Sequence, residues 1–307
     1  MRIIVPIKQV PETTAVKMDE ATGTMIREGV EAIVNPLDLY AIETALRLRE
    51  AHGGQVVAIS MGPPKADRAL REAIAMGCDA GVLVSDKPLA GSDTWATSYV
   101  LAAAIRKLGG AGVGGAGVGG AGVGGAGVPP AGGSSTGETP VPPVPPVPPV
   151  APIDLVICGE RATDGDTGQV GPGIASFLDL PVATYVSRIE RLHGGVCRVR
   201  RLVEDGYEVL EVATPCVLTV VKEIADPRLP TLRGKIRAKA ERIPLWTVGD
   251  LDIEPSKVGL EGSPTRVVKI FKPKVARECV KLAAKDEQSL HEAVERLVAF
   301  LHDRQLI

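Results

Sequence analysis

Aromatic residues are scarce in this sequence, at 3% of its 307 residues. Its core must therefore be aliphatic, and with 45% hydrophobic residues there is enough Val, Ile, Leu and Ala to build a large one. That balance suits a buried parallel sheet covered by helices. An excess of one charge is also missing. The formal net charge of −2 offers no global attraction to nucleic acid or to an anionic membrane. No stretch approaches the ~20 large apolar residues of a membrane span. Residues 1–10 (MRIIVPIKQV) lack signal-peptide architecture. The expectation is a cytoplasmic protein without a membrane anchor. The cysteines (Cys78, Cys158, Cys197, Cys216, Cys279) include no C-x-x-C pair, and the histidines (His52, His193, His291, His302) are scattered. Neither a zinc site nor a disulfide framework is suggested, and reduced cysteines fit the cytosol. H-E-x-x-H is absent as well, and no cysteine has an evident activating neighbour, so no side-chain catalytic centre is expected.

What is present is an alternation of two periods. Residues 2–7 form a β-rich run. Asn35-Pro36 opens LDLYAIETALRLREA, in which Leu37, Tyr40, Ala41, Thr44, Ala45 and Leu48 share a face. Asn35 is a good N-cap and Pro36 suits the first helical position. A strand at 55–61, a helix over 66–76 and a strand at 81–84 follow. Asp93 then caps a helix running to Leu108. A strand at 154–158 leads into a helix ending at Leu178. Strand and helix in strict turn imply βαβ units and a right-handed parallel sheet, an α/β domain made of residues 1–108 and 153–224.

Residues 109–152 interrupt this pattern. GGAGV occurs four times in tandem, and VPP then repeats through 141–150. The glycine tract reads as a flexible tether and the proline tract as a stiffer spacer, together a tolerated surface insertion. Beyond Leu180, β-prone runs at 184–192, 196–203 and 207–212 are joined by HGG and EDG turns and read as antiparallel hairpins. Residues 216–221 (CVLTVV) read as a buried strand. Residues 225–243 are basic and irregular. From Pro244 little pattern remains until an amphipathic helix near 287–303, so residues 244–307 read as an arm that packs on a partner.

The sharpest local feature is GERATDGDTGQVGPG, residues 159–173, between a strand and a helix. Its small residues admit a phosphate to the backbone, and a helix N-terminus offers free N–H groups. Asp164 and Asp166 would repel phosphate if they faced it; capping, or a bond to a ribose hydroxyl, suits them better. This is neither G-x-G-x-x-G nor a P-loop. Other strand ends converge with it: Pro6–Lys8, Met61-Gly62-Pro63 and residues 84–86, with 35–38 at a helix start. Residues 90–98 (AGSDTWATS) offer the hydroxyls of Thr94, Thr97 and Ser98, although Asp93 as a simple cap also accounts for the segment.

At this point the residues match a family. IVPIKQVP (4–11), NPLDLYAIETAL (35–46), MGPP (61–64), AMGCDA (75–80) and DGDTGQVGP (164–172) occur in order. The chain resembles the beta subunit of electron transfer flavoproteins over nearly its whole length except the insertion. The resemblance implies a Rossmann-like, adenine-nucleotide alpha-hydrolase-like fold and a heterodimer with an FAD-bearing alpha subunit. It also implies a nucleotide held by Pro6, Asn35, Pro36, Leu37, Asp38, Met61 and the loop Gly159, Arg161, Ala162, Thr163, Asp164, Gly165, Asp166, Thr167, Gly168, Gln169 and Val170. In the commoner group of the family that nucleotide is AMP. Residues 84–99 (VSDKPLAGSDTWATSY) are similar to the electron-bifurcating group, in which FAD replaces AMP. Asp93, Thr94 and Thr97 would then lie near the flavin. NADH would be the donor, with ferredoxin or flavodoxin and a dehydrogenase or quinone reductase as acceptors. With AMP, the role would be electron shuttling from acyl-CoA dehydrogenases. Residues 225–243 resemble the family's recognition loop, with Leu232 as apolar anchor and Arg233, Lys235, Arg237 and Lys239 as its rim. A nucleotide-sensing module without redox role is the alternative of another class; a stand-alone ligase or hydrolase is disfavoured by the missing catalytic groups.

Overall fold

Nine strands lie in one sheet, and their order decides where a ligand can enter. The computed structural model describes residues 1–12, 32–109, 152–268 and 280–307. The chain divides into a body, Met1–Val268, and a C-terminal unit, Lys269–Ile307. In the body, β1 (Arg2–Pro6) is followed by a small antiparallel pair, β2 (Gln9–Pro11) and β3 (Ala32–Val34). Then come α1 (Pro36–His52), β4 (Gln55–Met61), α2 (Asp67–Met76), β5 (Ala80–Val84), α3 (Thr94–Gly109), β6 (Leu155–Gly159) and α4 (Val170–Leu178). A meander of β7 (Val182–His193), β8 (Val196–Val203) and β9 (Gly206–Ala213) precedes β10 (Cys216–Val220), α5 (Leu232–Ala240) and β11 (Leu245–Trp246). The sheet order is β11-β5-β4-β1-β6-β10-β7-β8-β9. Every pair from β11 to β7 is parallel, and β7-β8-β9 is antiparallel.

The chain winds from β1 outward through β4 to β5, then returns through α3 to β6 on the other side of β1. The crevice between β1 and β6 is thus a topological switch point, the place where open α/β sheets bind ligands at strand carboxyl ends. Period-two alternation sorts the strand residues onto two faces. Ile3, Val5, Val56 and Ala58 pack with Ala41, Ile42 and Leu46 of α1 and Leu70 and Ala73 of α2. Ile4, Val57, Ile59 and Val82 pack with Val100 and Ile105 of α3 and Ile174 and Leu178 of α4. The core is aliphatic, as the shortage of aromatics requires. Trp95, Tyr99 and Phe177 instead group where α3 meets α4, with ring centroids 5.3 to 6.0 Å apart.

Three features differ from the sequence reading. Residues 225–243 are not irregular: α5 runs through them, capped by the Thr231 hydroxyl, which accepts from the Gly234 N–H at 2.9 Å. Of its residues only Ala238 is buried, so α5 lacks the apolar stripe by which a helix is normally read. β10, read as a buried strand, is buried, and it lies between β6 and β7. The body also continues past Pro244. β11 pairs with β5, and Trp246, Leu251 and Val258 are buried. Finally, Asn35 makes no side-chain cap on α1. The insertion 109–152 lies outside the described residues except at its ends, as does Cys279. In the C-terminal unit, α6 (Glu287–Asp303) is amphipathic and capped by Asp286, which accepts from the Ser289 N–H at 2.8 Å.

Gly234 lets α5 seat on α2. A Cβ there would lie 2.1 Å from the Ala75 carbonyl oxygen, a backbone atom that cannot yield cheaply. Gly234→Ala should therefore lower stability by about 1–3 kcal/mol in urea unfolding. Ile236→Ala, on the exposed side of the same helix, should stay within about 0.5 kcal/mol of wild type.

Candidate functional site

Buried polar residues gather at the carboxyl edge of the parallel strands. Asn35, Asp38, Ser60, Ser85, Ser98 and Thr219 are all buried there. Burial of polar groups is unfavourable unless they are bonded, so such a cluster marks a built site. The Ser60 hydroxyl is buried with no hydrogen-bond partner among the described residues.

The centre of the site is the meeting of β6 with the start of α1. A Cβ on Gly159 would lie 2.5 Å from Asp38 Oδ1 and 2.9 Å from the Leu37 carbonyl oxygen. Only glycine allows the strand end to come this close. The Lys8 N–H donates to Asp38 Oδ2 at 2.7 Å, which ties the end of β1 to the same carboxylate. Asn35 clamps the loop that follows: its Nδ2 donates to the Arg161 carbonyl at 2.9 Å, and its Oδ1 accepts from the Thr163 N–H at 3.1 Å. Both functional groups of the Asn35 amide are thus engaged by loop backbone, so Asn35 shapes the loop rather than capping its helix. Pro6 and Met61 end the neighbouring strands β1 and β4.

The loop aspartates are neutralised from within. Asp164 pairs with the Lys8 ammonium at 2.6 Å, and Asp166 pairs with Arg161 Nε at 2.9 Å. This removes the repulsion that two carboxylates would otherwise offer an anion. Thr167 and Gly168 complete the turn, Gly168 with φ +64. Gln169 precedes α4 and places no side-chain cap on it. The first-turn N–H groups of α4, at Val170 and Gly171, are the positive end of the helix dipole. Gly171 has a packing role as well, since a Cβ there would lie 2.4 Å from Thr219 Cγ2.

A second helix start meets the first. The Thr94 hydroxyl lies 3.2 Å from Gln169 Oε1. The Ser98 hydroxyl donates to the Thr94 carbonyl at 2.6 Å, and a Cβ on Gly173 would sit 2.4 Å from that hydroxyl oxygen. Thr97 is half-buried on the same helix turn. Asp93 caps α3 through its Oδ1, which accepts from the Ala96 N–H at 3.0 Å. Its Oδ2 accepts from the Thr265 N–H at 2.9 Å and hydroxyl at 2.7 Å. Burial pushes the Asp93 carboxyl up, but these bonds hold it below the usual range. Asp93 therefore has a local structural task, and Thr94 is the group of this segment that reaches the loop.

The strand-to-helix loop thus combines a Gly159 packed against α1, an uncapped start of α4 and aspartates paired with cations. Sequence reasoning missed the Lys8 ammonium as the counter-ion of Asp164, and Tyr185 beside Gly168. Lys8 lay in a strand-end list without a partner to make it stand out, and a lone tyrosine in a β run carries no signal. On α5, Leu232, Arg233, Lys235 and Arg237 are exposed, and the Arg237 guanidinium donates to the Cys78 carbonyl.

Comparison with known proteins names this scaffold. A family model described as the electron transfer flavoprotein domain matches residues 22–123 and 150–251. The chain belongs to the electron transfer flavoprotein family. It is 40% identical to the electron transfer flavoprotein subunit beta of Thermoanaerobacterium thermosaccharolyticum, covering 100% of both chains. It is 42% identical to the caffeyl-CoA reductase-Etf complex subunit CarD of Acetobacterium woodii, over 89% of this chain and 88% of that one. Protein FixA of Azorhizobium caulinodans is 38% identical over 91% of this chain and 86% of its own. In this electron transfer flavoprotein chain no group of His, Cys, Asp or Glu among the described residues could hold a metal, and no described helix is long and apolar enough to cross a membrane.

Asp38 gives the site a pH signature. Burial raises its carboxyl from 3.8 to about 7, against the lowering effects of the Lys8 N–H, Asn35 and the Lys8 charge; Asp164 adds to the rise. A raised folded-state value for an acid means the native state holds its proton longer than the unfolded chain does. Stability contributed by Asp38 is then largest at low pH and falls as pH rises from about 4 to about 7. Asp38→Asn should flatten that fall and be the more stable form at neutral pH, as read from unfolding midpoints across the range.

Proposed function

We propose that this chain is the beta subunit of an electron transfer flavoprotein that holds FAD in the crevice between β1 and β6. The observation that carries the reading is the junction of two helix starts, joined by Thr94 and Gln169 beside the loop of Gly159. The loop would hold the phosphates, and Thr94 and Thr97 would extend the site toward a flavin. Bound FAD would supply the redox chemistry, with NADH as its electron donor. The chain's own residues bind and orient. Val170 and Gly171 offer N–H groups to phosphate, Lys8 and Arg161 keep the loop from repelling it, and Asn35 fixes the loop's shape. Residues 84–99, similar to the electron-bifurcating group, favour FAD over AMP.

The chain pairs with an FAD-bearing alpha subunit, on which the C-terminal unit with α6 packs. Electrons pass to ferredoxin or flavodoxin and to a partner dehydrogenase or quinone reductase. The relative named as a subunit of a caffeyl-CoA reductase-Etf complex supports a dehydrogenase-type partner. Docking falls to α5, where Leu232 is 77% exposed and Leu229 and Ile236 extend an apolar patch. Arg233 and Lys235 form its basic rim and assist encounter more than affinity.

Co-expression with the alpha subunit tests the assignment. The purified heterodimer should carry two FAD, and Gly159→Ala, which drives a methyl against Asp38 and Leu37, should retain one. One FAD with one AMP would overturn the FAD reading, and failure to form a heterodimer would overturn the subunit reading itself. Leu232→Ala should leave nucleotide content unchanged and raise the apparent KM for the partner dehydrogenase about tenfold, the effect of losing ~1.4 kcal/mol of docking.

A further inference from the structure

β7 carries a fault in its register at the carboxyl edge of the sheet. Leu218 of β10 pairs with Ala183 and Val220 pairs with Val186, so two steps along β10 face three along β7. The extra residue falls at Thr184-Tyr185. Ala183 and Val186 are both buried, which strict alternation would forbid. Without the bulge, Tyr185 would share the buried face of Ala183. With it, Tyr185 is released from the core and is 42% exposed. Bulges are found beside active sites because they re-aim a side chain in this way.

The backbone of Tyr185 is strained to achieve this. Its φ is +56, a left-handed conformation that a bulky side chain rarely adopts. Such strain, of order 1–3 kcal/mol, persists only where the surroundings hold it in place. Here the Tyr185 N–H donates to the Thr219 hydroxyl at 3.1 Å, and Thr219 is buried against Gly171. The phenol is thereby aimed at the nucleotide loop. A Cβ on Gly168 would lie 3.5 Å from the Tyr185 hydroxyl oxygen and 3.5 Å from the Glu160 carbonyl. Among the described residues the phenol has no hydrogen-bond partner.

We infer that Tyr185 is a further nucleotide-contacting residue, its phenol donating to the phosphate chain that lies over Gly168. The inference rests on the nucleotide reading above and adds a ligand contact from the antiparallel half of the sheet. Asp164 is paired with Lys8, and Asp166 shares Arg161 with Glu160, so a neutral donor adds a contact without adding charge.

The test uses the heterodimer freed of nucleotide, with AMP, FAD and adenosine as probes in competition binding. Tyr185→Phe keeps the ring and the strained backbone and removes only the hydroxyl. It should weaken AMP and FAD about tenfold, leave adenosine within twofold, and leave the melting temperature unchanged. Tyr185→Asn, which tolerates positive φ, should lose AMP and FAD affinity likewise while melting no lower than wild type. Unchanged binding of AMP and FAD by Tyr185→Phe would overturn the contact. Equal losses for AMP and adenosine with a lowered melting temperature would overturn it too, assigning Tyr185 to loop support alone. Binding of none of the probes by the wild-type complex would remove the nucleotide reading, and this inference with it.

Discussion

The site depends on one close approach, that of the end of β6 to the first turn of α1. Gly159 has no side chain, so the strand end comes within contact of the Leu37 carbonyl and the Asp38 carboxyl. From that contact the rest follows. The loop after Gly159 begins beside the end of β1, near enough for Lys8 to reach Asp164 and for Asn35 to hold Arg161 and Thr163. The approach is possible because strand order reverses at β1, which leaves a crevice that no crossover helix covers. A side chain at position 159 would separate the two elements, and the loop would lose both of its clamps.

The electrostatics of the site are local. A loop with two aspartates looks hostile to phosphate, and a net charge of −2 offers no help. Internal pairing eases the conflict: Asp164 pairs with Lys8, and Asp166 shares Arg161 with Glu160. Asp38 has no ion pair among the described residues, and burial raises its pKa to about 7. Glu43, also buried, is handled differently. Burial pushes its carboxyl up, but Arg228 and Arg47 hold it below the ordinary value. Arg228 also bonds Glu50, so α1, whose N-terminus lies at the crevice between β1 and β6, fastens the segment leading to α5 along its length.

Much of this was legible beforehand where one local rule dominates. Strands and helices of the first half follow period-two and period-3.6 patterns, and their bounds fall within a residue or two of those expected. The hairpin turns HGG and EDG are local as well. α5 was illegible because a single buried residue, Ala238, fastens it, so it has no periodic stripe to read. Asn35 illustrates a subtler failure. Its sequence context fits a cap, yet a backbone partner 128 residues away, the Thr163 N–H, takes its side-chain oxygen.

By itself the sequence determined the alternation of strand and helix, the aliphatic core, the glycine-rich loop between β6 and α4, and a resemblance that the family match supports. These are properties of short windows or of ordered motifs, and neighbouring residues suffice to specify them. Only the tertiary structure decided that β10 lies between β6 and β7, that Lys8 and Asp164 neutralise each other, that Arg237 meets the Cys78 carbonyl, and that a bulge swings Tyr185 toward Gly168. Each of these rests on contacts between segments far apart in the chain, set by how the sheet is ordered and by which side chains its packing leaves room for.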